Sequence, residues 1–433
     1  MSFTTLGCRV NQYDGQALRE RAAEASFREV PFESGADLVV VNTCSVTAAA
    51  DSEARHLIRR ALRLNPSAKV VVTGCYAQDR PGEVAALPGV ALVVGNRDKP
   101  RLFDRIAGLF PGTTGTAGVS GRTDSPEDPW VGGISRFDGH RRAILKVQEG
   151  CGFGCSFCLV PRVRGGLQSR DAGQIIAEGR RLAEGGVHEL VLAGIQLASY
   201  GRDLGLKTGE PRLAPVVERL LALPGVRRVR LSSYSIADFE QALLPLLGRG
   251  LCPHLHLPLQ SGDPGILQAM RRPHKLEQYR EVVEKVRSVV PDVGITTDLI
   301  AGFPGEDEEA FGNTVSAVRE FRLADLHPFP YSDRPGTAGL DLNPKVAPGV
   351  VRSRMERLWA IKREALAASA KAAEGRPWDV VAEKLKPGWL GGTTDRGLKV
   401  AFPAGGLEPG QETQIRVTGQ DGTKALGEVL QRV

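Results

Sequence analysis

No apolar run in the sequence approaches the roughly 18 residues a membrane helix needs, and its opening segment MSFTTLGCRV lacks the basic and apolar blocks of a secretion signal. A cytoplasmic protein with no membrane partner is therefore expected. Charge of one sign is also scarce. Fifty-six basic residues against 50 acidic ones leave a net charge of +6 over 433 residues, which permits a nucleic-acid partner without establishing one. Residues 1–110 hold 14 basic and 12 acidic side chains, and 370–433 hold nine and eight. With no basic tail, any polyanion site must be built by folding. Cysteines number only seven, an odd count that makes a poor disulfide framework and suggests metal or redox chemistry. No low-complexity tract and no solenoid repeat is found.

The remaining composition, 42% hydrophobic and 24% charged, is that of a globular chain, and its length predicts two or three domains. Short β-branched runs at Thr4–Leu6, Leu38–Val41, Lys69–Thr73 and Leu92–Val94 alternate with helical patterns, the signature of an open parallel α/β sheet. They predict a flavodoxin-like domain over 1–110. Residues 111–139, rich in Gly, Thr, Ser, Asp and Pro, read as a linker. Six further strand candidates begin at Ala143, Glu189, Arg227, His254, Gly294 and Asp325, with helical segments between them. They predict a partial (β/α)6 TIM-type barrel over 140–370, whose chemistry would sit at the C-terminal ends of its strands. Short strands at Val380–Leu385, Leu398–Phe402, Gln414–Val417 and Leu426–Leu430 predict a small antiparallel β-barrel over 375–433. The expected class is α/β throughout the first two domains.

Three cysteines each end a strand: TTLGC at Cys8, VVVNTC at Cys44 and VVVTGC at Cys75. Carboxyl ends of parallel strands share one crevice, so the three thiols can converge as metal ligands; the plainer alternative is three small buried hydrophobes. Cys8 and Cys75 each follow a glycine, which lets backbone approach a bulky cofactor. CGFGCSFC, carrying Cys151, Cys155 and Cys158, is the most specific signal. Three thiolates at this spacing can hold three irons of a four-iron cluster and leave the fourth open. A zinc site is the alternative, but no fourth Cys or His follows before His188.

At this motif the chain resembles the radical S-adenosylmethionine superfamily, with Phe157 at the aromatic position before the last cysteine. LGCRVNQYDGQ, VVNTCSVTAAADSEARHLIRR, VVTGCYAQ, HLHLPLQSGDPGILQAMRRPH, DLIAGFPGE and FPYSDRPGT extend the resemblance to the methylthiotransferases over nearly the whole chain. The C-terminal domain looks like the family's RNA-binding TRAM barrel. Among its classes, the first two segments look most like the one acting on N6-threonylcarbamoyladenosine beside the tRNA anticodon. Sister classes act on isopentenyladenosine in tRNA or on a ribosomal-protein aspartate. The resemblance implies two [4Fe-4S] clusters, one on Cys151, Cys155 and Cys158 and a second on Cys8, Cys44 and Cys75 whose open iron carries the sulfur to be inserted. It further implies S-adenosylmethionine both as methyl donor and as source of the radical that attacks adenine C2. Partners would be tRNA, an electron donor such as flavodoxin or ferredoxin, and a sulfur source.

Gly194, Ser232, Ser233, Gln260 and Asp298 lie at or near strand ends, and by resemblance this rim, with Phe157, supports S-adenosylmethionine. After Ser233 the family commonly has Ile-Glu-Pro, where this chain reads Tyr234, Ser235 and Ile236. Arginines at 162, 164 and 170 crowd the cluster loop; Arg271, Arg272 and Arg334 lie in later motifs. Arg164 and Arg334 are the candidates for a substrate phosphate or carboxylate, held by bidentate bonds. Cys252 reads as a core thiol, and His254 and His256 alternate so as to share a strand face. The C-terminal domain has a net charge of +1 and few aromatics beyond Trp378, Trp389 and Phe402, so its own phosphate affinity should be modest. A rival from another class, a non-catalytic iron–sulfur protein for electron transfer or RNA binding, is separated by whether the reduced protein cleaves S-adenosylmethionine to 5′-deoxyadenosine.

Overall fold

The computed structural model describes residues 1–109, 130–137, 141–206 and 210–432. Of the linker expected at 111–139, all but 130–137 lies outside the described residues. The chain forms two compact units. One comprises Met1–Ser135, Glu149–Gly152 and Cys158–Gln168; the other comprises Arg136–Gln148, Phe153–Phe157 and Ser169–Val433.

In the first unit, β1 (Ser2–Thr5), β2 (Leu38–Thr43), β3 (Lys69–Gly74) and β4 (Val90–Val94) make one parallel sheet in the order β1-β2-β3-β4. Every residue of β2 is buried, which is why LVVVNT reads as a continuous apolar run and not as an alternation. Helix α1 (Arg9–Glu24) follows β1, α2 (Ala48–Leu64) follows β2 and α3 (Cys75–Asp79) follows β3. Thr47 caps α2 by accepting the Ala50 N–H at 3.3 Å. Ala54, Ile58 and Ala61, spaced for one helical stripe, pack on Val39, Val41, Val70 and Val72. Burying one such side chain is worth about 1.5–3 kcal/mol. A later short helix, α4 (Val160–Arg164), also belongs to this unit.

The second unit holds β5 (Arg142–Lys146), β6 (Glu189–Ala193), β7 (Arg228–Leu231), β8 (His254–His256), β9 (Gly294–Ala301) and β10 (Asp325–Pro330). Parallel ladders join β5-β6-β7 and β8-β9-β10, and the bridges Val229–Leu251 and Ser233–His256 join the two sets. Helices α5 (Ala172–Glu184), α6 (Leu276–Val289) and α7 (Glu308–Glu320) cross between strands. This is the expected six-stranded partial barrel, strand for strand.

Helix α8 (Pro348–Ala373) runs from the barrel into the last domain, where Ala370 and Ala373 join the core of Trp378, Val380, Phe402 and Ile415. Six strands follow: β11 (Pro377–Val381), β12 (Glu383–Lys386), β13 (Trp389–Thr393), β14 (Lys399–Pro403), β15 (Glu412–Gln420) and β16 (Ala425–Arg432). They form one sheet in the order β11-β15-β16-β14-β13-β12, antiparallel except for the β14–β16 pair. The strand expected over Val380–Leu385 is two strands, broken at Ala382, whose N–H and carbonyl bond to Gln411 and Gly410. Strand β13 was not expected, because Gly391 and Gly392 depress strand propensity. At Gly392 a Cβ would sit 3.0 Å from Val380 Cβ, so close packing requires the glycine. The sheet docks on the N-terminal ends of the barrel strands: Arg230 donates to the Thr394 and Asp395 carbonyls at 3.0 and 3.1 Å, and Arg227 to Glu412 at 2.7 Å. The opposite strand ends are left for chemistry.

Candidate iron–sulfur sites and barrel cleft

Cys8 is the residue before α1, Cys44 follows β2, and Cys75 opens α3. Two glycines bring these strand ends together. Gly7 has φ +93°, and a Cβ there would lie 2.6 Å from both Cβ and Sγ of Cys44. Gly74 has φ +98°, and its Cβ would lie 2.3 Å from the Thr43 carbonyl oxygen. The glycines thus let neighbouring cysteine loops approach one another, where the sequence had suggested approach to a cofactor. Asn11, buried on α1, ties the same ends by donating to the Leu6 and Thr43 carbonyls at 2.6 and 2.9 Å.

Burial pushes the Cys44 thiol up to about 11; the Val46 N–H and Arg164 oppose this, while the thiols of Cys75 and Cys8 add to it. Burial likewise raises the Cys8 thiol, and the neighbouring Cys75 sulfur adds to the shift of both Cys8 and Cys44. Cys75 packs with Leu159 and Val163, and Asn96 Nδ2 bridges the Cys75 sulfur at 3.5 Å and the Val163 carbonyl at 3.0 Å.

Arg164, expected at a substrate, is instead buried beside these thiols. Its guanidinium donates to both Glu149 oxygens at 3.0 and 2.9 Å, to Asp14 at 3.3 Å and to Asn11 Oδ1 at 2.7 Å. Lys99, also buried, reaches Asp14 at 2.8 Å. Burial alone would lower the Arg164 pKa, yet Glu149, Cys75, Asp14 and Cys8 hold it well above the ordinary guanidinium value. Asp14, Glu149 and Lys99 were missed from sequence. A signal existed: Asn11 and Asp14 are polar positions on the α1 face that also buries Val10, Tyr13, Ala17 and Leu18, and buried polar groups need partners.

The loop of Cys151, Cys155 and Cys158 follows the first barrel strand, and all three cysteines are half-buried. In the first unit, the Cys151 N–H donates to the Gly165 carbonyl at 3.1 Å, and the Cys158 sulfur accepts the Val160 N–H at 3.4 Å. In the second, Arg272 Nη1 donates to the Cys155 sulfur at 3.4 Å. Ser156 donates through its N–H to Met270 at 3.0 Å and through Oγ to Ala269 at 2.8 Å. Phe157 packs edge-on against Phe303, its ring centroid 6.5 Å away.

Around the barrel strand ends, Ser232 is buried and its Oγ has no partner among the described residues, an orphan that points to a ligand. Ser233 bridges to His256. Gln260 has φ +71°, rare for a side-chain-bearing residue, and is held there by backbone bonds to Asp298 and Ile300, both 2.9 Å. Gly194 has a local reason to be glycine, since a Cβ would meet Gln148 Oε1 at 2.8 Å. Asp298, expected at the cofactor rim, lies between two imidazoles, 3.2 Å from His256 Nε2 and 3.4 Å from His327 Nδ1. Burial would raise its carboxyl, but the two histidines hold it well below the usual range. Arg334, the other expected substrate contact, is buried, and its carbonyl accepts from Thr337. Arg162 pairs with Asp79, and Arg170 with Glu178. Burial raises the Cys252 thiol to about 11, as befits a core cysteine.

The family model described as "Uncharacterized protein family UPF0004" matches residues 1–95, and that of the "Radical SAM superfamily" matches 145–318. Over 409 residues the chain is 35% identical to the threonylcarbamoyladenosine tRNA methylthiotransferase MtaB of Bacillus subtilis (strain 168), covering 93% of this chain and 90% of that one. The chain belongs to the radical S-adenosylmethionine methylthiotransferase family. It is also 32% identical to the tRNA-2-methylthio-N(6)-dimethylallyladenosine synthase of Erythrobacter litoralis (strain HTCC2594), covering 99% of this chain and 97% of that one. Among solved structures, the radical S-adenosylmethionine methyltransferase TsrM of Kitasatospora setae shares the fold, with a TM-score of 0.56 at 16% identity over 78% of this chain and 73% of that one.

As a member of this family the protein is a methylthiotransferase that uses S-adenosylmethionine and [4Fe-4S] clusters. The donor chemistry fits. Three cysteines beside the Arg164 guanidinium suit cationic iron, which takes cysteine as thiolate, and the orphaned Ser232 hydroxyl suits a polar cofactor. If Cys8, Cys44 and Cys75 hold one of the clusters, Gly7→Ala is expected to remove it by displacing the Cys44 sulfur. Iron per chain should fall by about half, while 5′-deoxyadenosine formation after reduction persists; unchanged iron would refute this role of the glycine.

Proposed function

We propose that this methylthiotransferase acts on tRNA, inserting a methylthio group at C2 of N6-threonylcarbamoyladenosine next to the anticodon. The observation that carries the reading is the set of three cysteines at the ends of the adjacent parallel strands β1, β2 and β3, in addition to the three of CGFGCSFC. A reaction that needs both a radical and a sulfur atom needs two such sets. The name of the Bacillus subtilis relative supports threonylcarbamoyladenosine as the nucleoside. The name of the Erythrobacter relative, which is similar over 99% of this chain, supports isopentenyladenosine as the second reading.

In this proposal Cys151, Cys155 and Cys158 hold the radical-generating cluster, and Cys8, Cys44 and Cys75 hold the sulfur-bearing one. When bound, these clusters and S-adenosylmethionine supply the radical, the sulfur and the methyl group. The chain's own residues orient them. Ser156 and Phe157 pin the cysteine loop, Arg272 places positive charge against Cys155, and Arg164 offsets the charge of the other three thiolates. Ser232, Ser233, Gln260 and the Gly194 turn contact S-adenosylmethionine at the strand ends. Domains at 1–110, 140–370 and 375–433 divide sulfur delivery, radical chemistry and RNA contact. A flavodoxin or ferredoxin supplies electrons, and a separate sulfur source renews the inserted atom. No helix among the described residues is long and apolar enough to cross a membrane, and a tRNA substrate places the reaction in the cytoplasm.

Mass spectrometry of tRNA nucleosides from cells with and without the gene tests the assignment. Loss of the methylthio group from threonylcarbamoyladenosine is expected. Loss from the isopentenyl nucleoside instead, or no change, overturns it.

A further inference from the structure

Inside the barrel of the second unit, three strands bring together a set of side chains that the proposed reaction does not use. In the β9–β10 ladder, Asp298 lies directly opposite His327; in the β8–β9 ladder, His256 lies opposite Thr296, two residues before Asp298 on the same face. The result is two imidazoles and one carboxylate, each offering an atom within 4.8 Å of the other two. Asp298 Oδ2 is 3.2 Å from His256 Nε2, and Oδ1 is 3.4 Å from His327 Nδ1. A tetrahedral zinc with arms of about 2.0–2.1 Å sets its ligand atoms about 3.3–3.4 Å apart; both His–Asp separations are close to this, though they use different carboxylate oxygens, and the full set of three ligand atoms lies within 4.8 Å.

The outer contacts are also those of a metal site. His256 turns its Nδ1 to Thr296 Oγ1 at 2.9 Å, which leaves Nε2 to face Asp298. His327 turns its Nε2 toward Asp325 at 3.7 Å, which leaves Nδ1 to face Asp298, and Asp325 is itself held by Lys362. An imidazole that meets a hydroxyl or carboxylate with one nitrogen and a common point with the other is the arrangement in which second-shell groups orient metal-binding histidines. Mixed nitrogen and oxygen donors disfavour magnesium and calcium, which take oxygen ligands, and favour a divalent transition cation. The side chains of Asp298 and His327 are 26% and 37% exposed, so the position is reachable and has room for further ligands.

We propose that His256, Asp298 and His327 form a binding site for one divalent transition metal ion, separate from both cysteine sets. The test uses zinc as the probe. Holoenzyme with its clusters in place is dialysed against a chelator, supplied with zinc, desalted, and assayed for zinc and iron per chain by elemental mass spectrometry. One tightly held zinc per chain is expected. Asp298→Asn and His327→Gln should each weaken zinc binding by more than about 100-fold with iron content unchanged, and Thr296→Val, which keeps all three ligands, by about tenfold. Wild type that retains no zinc, or equal zinc affinity in wild type and all three variants, overturns the site. Neither result bears on which nucleoside is modified.

Discussion

Replacing Cys151, Cys155 and Cys158 together by alanine is expected to abolish formation of 5′-deoxyadenosine from S-adenosylmethionine in the reduced protein, with no detectable residual rate. Iron per chain and iron–sulfur absorbance should fall by about half and not to zero. The reasoning is local. Three thiolates are the whole protein contribution to a cluster with one open iron, so no ligand remains to hold it. The loop they leave behind is pinned by contacts that do not involve sulfur: Ser156 to Ala269 and Met270, the Gly339 N–H to the Ser156 carbonyl at 2.6 Å, and Phe157 against Phe303. The fold around it should therefore survive. The complementary triple replacement of Cys8, Cys44 and Cys75 should retain cleavage and lose methylthiolated product, because those thiols belong to a different set of strand ends. Retention of cleavage in the first variant, or loss of all iron from it, would refute the division of labour. Absence of cleavage in the wild-type protein would favour a non-catalytic iron–sulfur protein.

How far the sequence reached follows from where its signals are local. Val39–Val41 and Val70–Val72 announce buried parallel strands because each residue is apolar on both faces of a covered sheet. Cys8, Cys44 and Cys75 stood out for the same reason, standing three, one and one residues beyond the ends of adjacent parallel strands. Roles that depend on distant partners did not. Arg164 was read as a ligand-facing guanidinium because the motif around it, GCGFGCSFCLVPRVRGG, resembles the family's. Its partners in space, Asp14 and Glu149, lie 150 and 15 residues away. Asp298 was placed at the cofactor rim from its strand position and the family resemblance, whereas His327, the residue opposite it, belongs to a different strand that carries no cysteine or glycine signal. Strand β13 was hidden by its glycines, which only the packing against Val380 explains.

Arg164→Ala is expected to destabilise the first unit by about 3–5 kcal/mol, the cost of removing one member of a buried charge network. With both side chains about as buried as Arg164 itself, Asp14 would keep Lys99 as its cation, but Glu149 would lose both of the bonds that Arg164 donates. The cluster proposed at Cys8, Cys44 and Cys75 should suffer as well, because the guanidinium is among the groups that oppose the raised thiol of Cys44. Arg164→Lys keeps the charge and loses the fork that meets Glu149 at two oxygens, so its cost should be smaller. The decisive variant is Arg164→Gln with Glu149→Gln. If the penalty comes from the stranded carboxylate, neutralising it should recover part of the stability lost in Arg164→Ala, even though another native residue has been removed. Urea unfolding midpoints for the four proteins measure the first effect, and iron content with the reduction potential of the cluster proposed at Cys8, Cys44 and Cys75 measures the second. Equal midpoints for wild type and Arg164→Ala would mean that Glu149 has found water or another cation. In that case Arg164 would be free to serve the substrate after all.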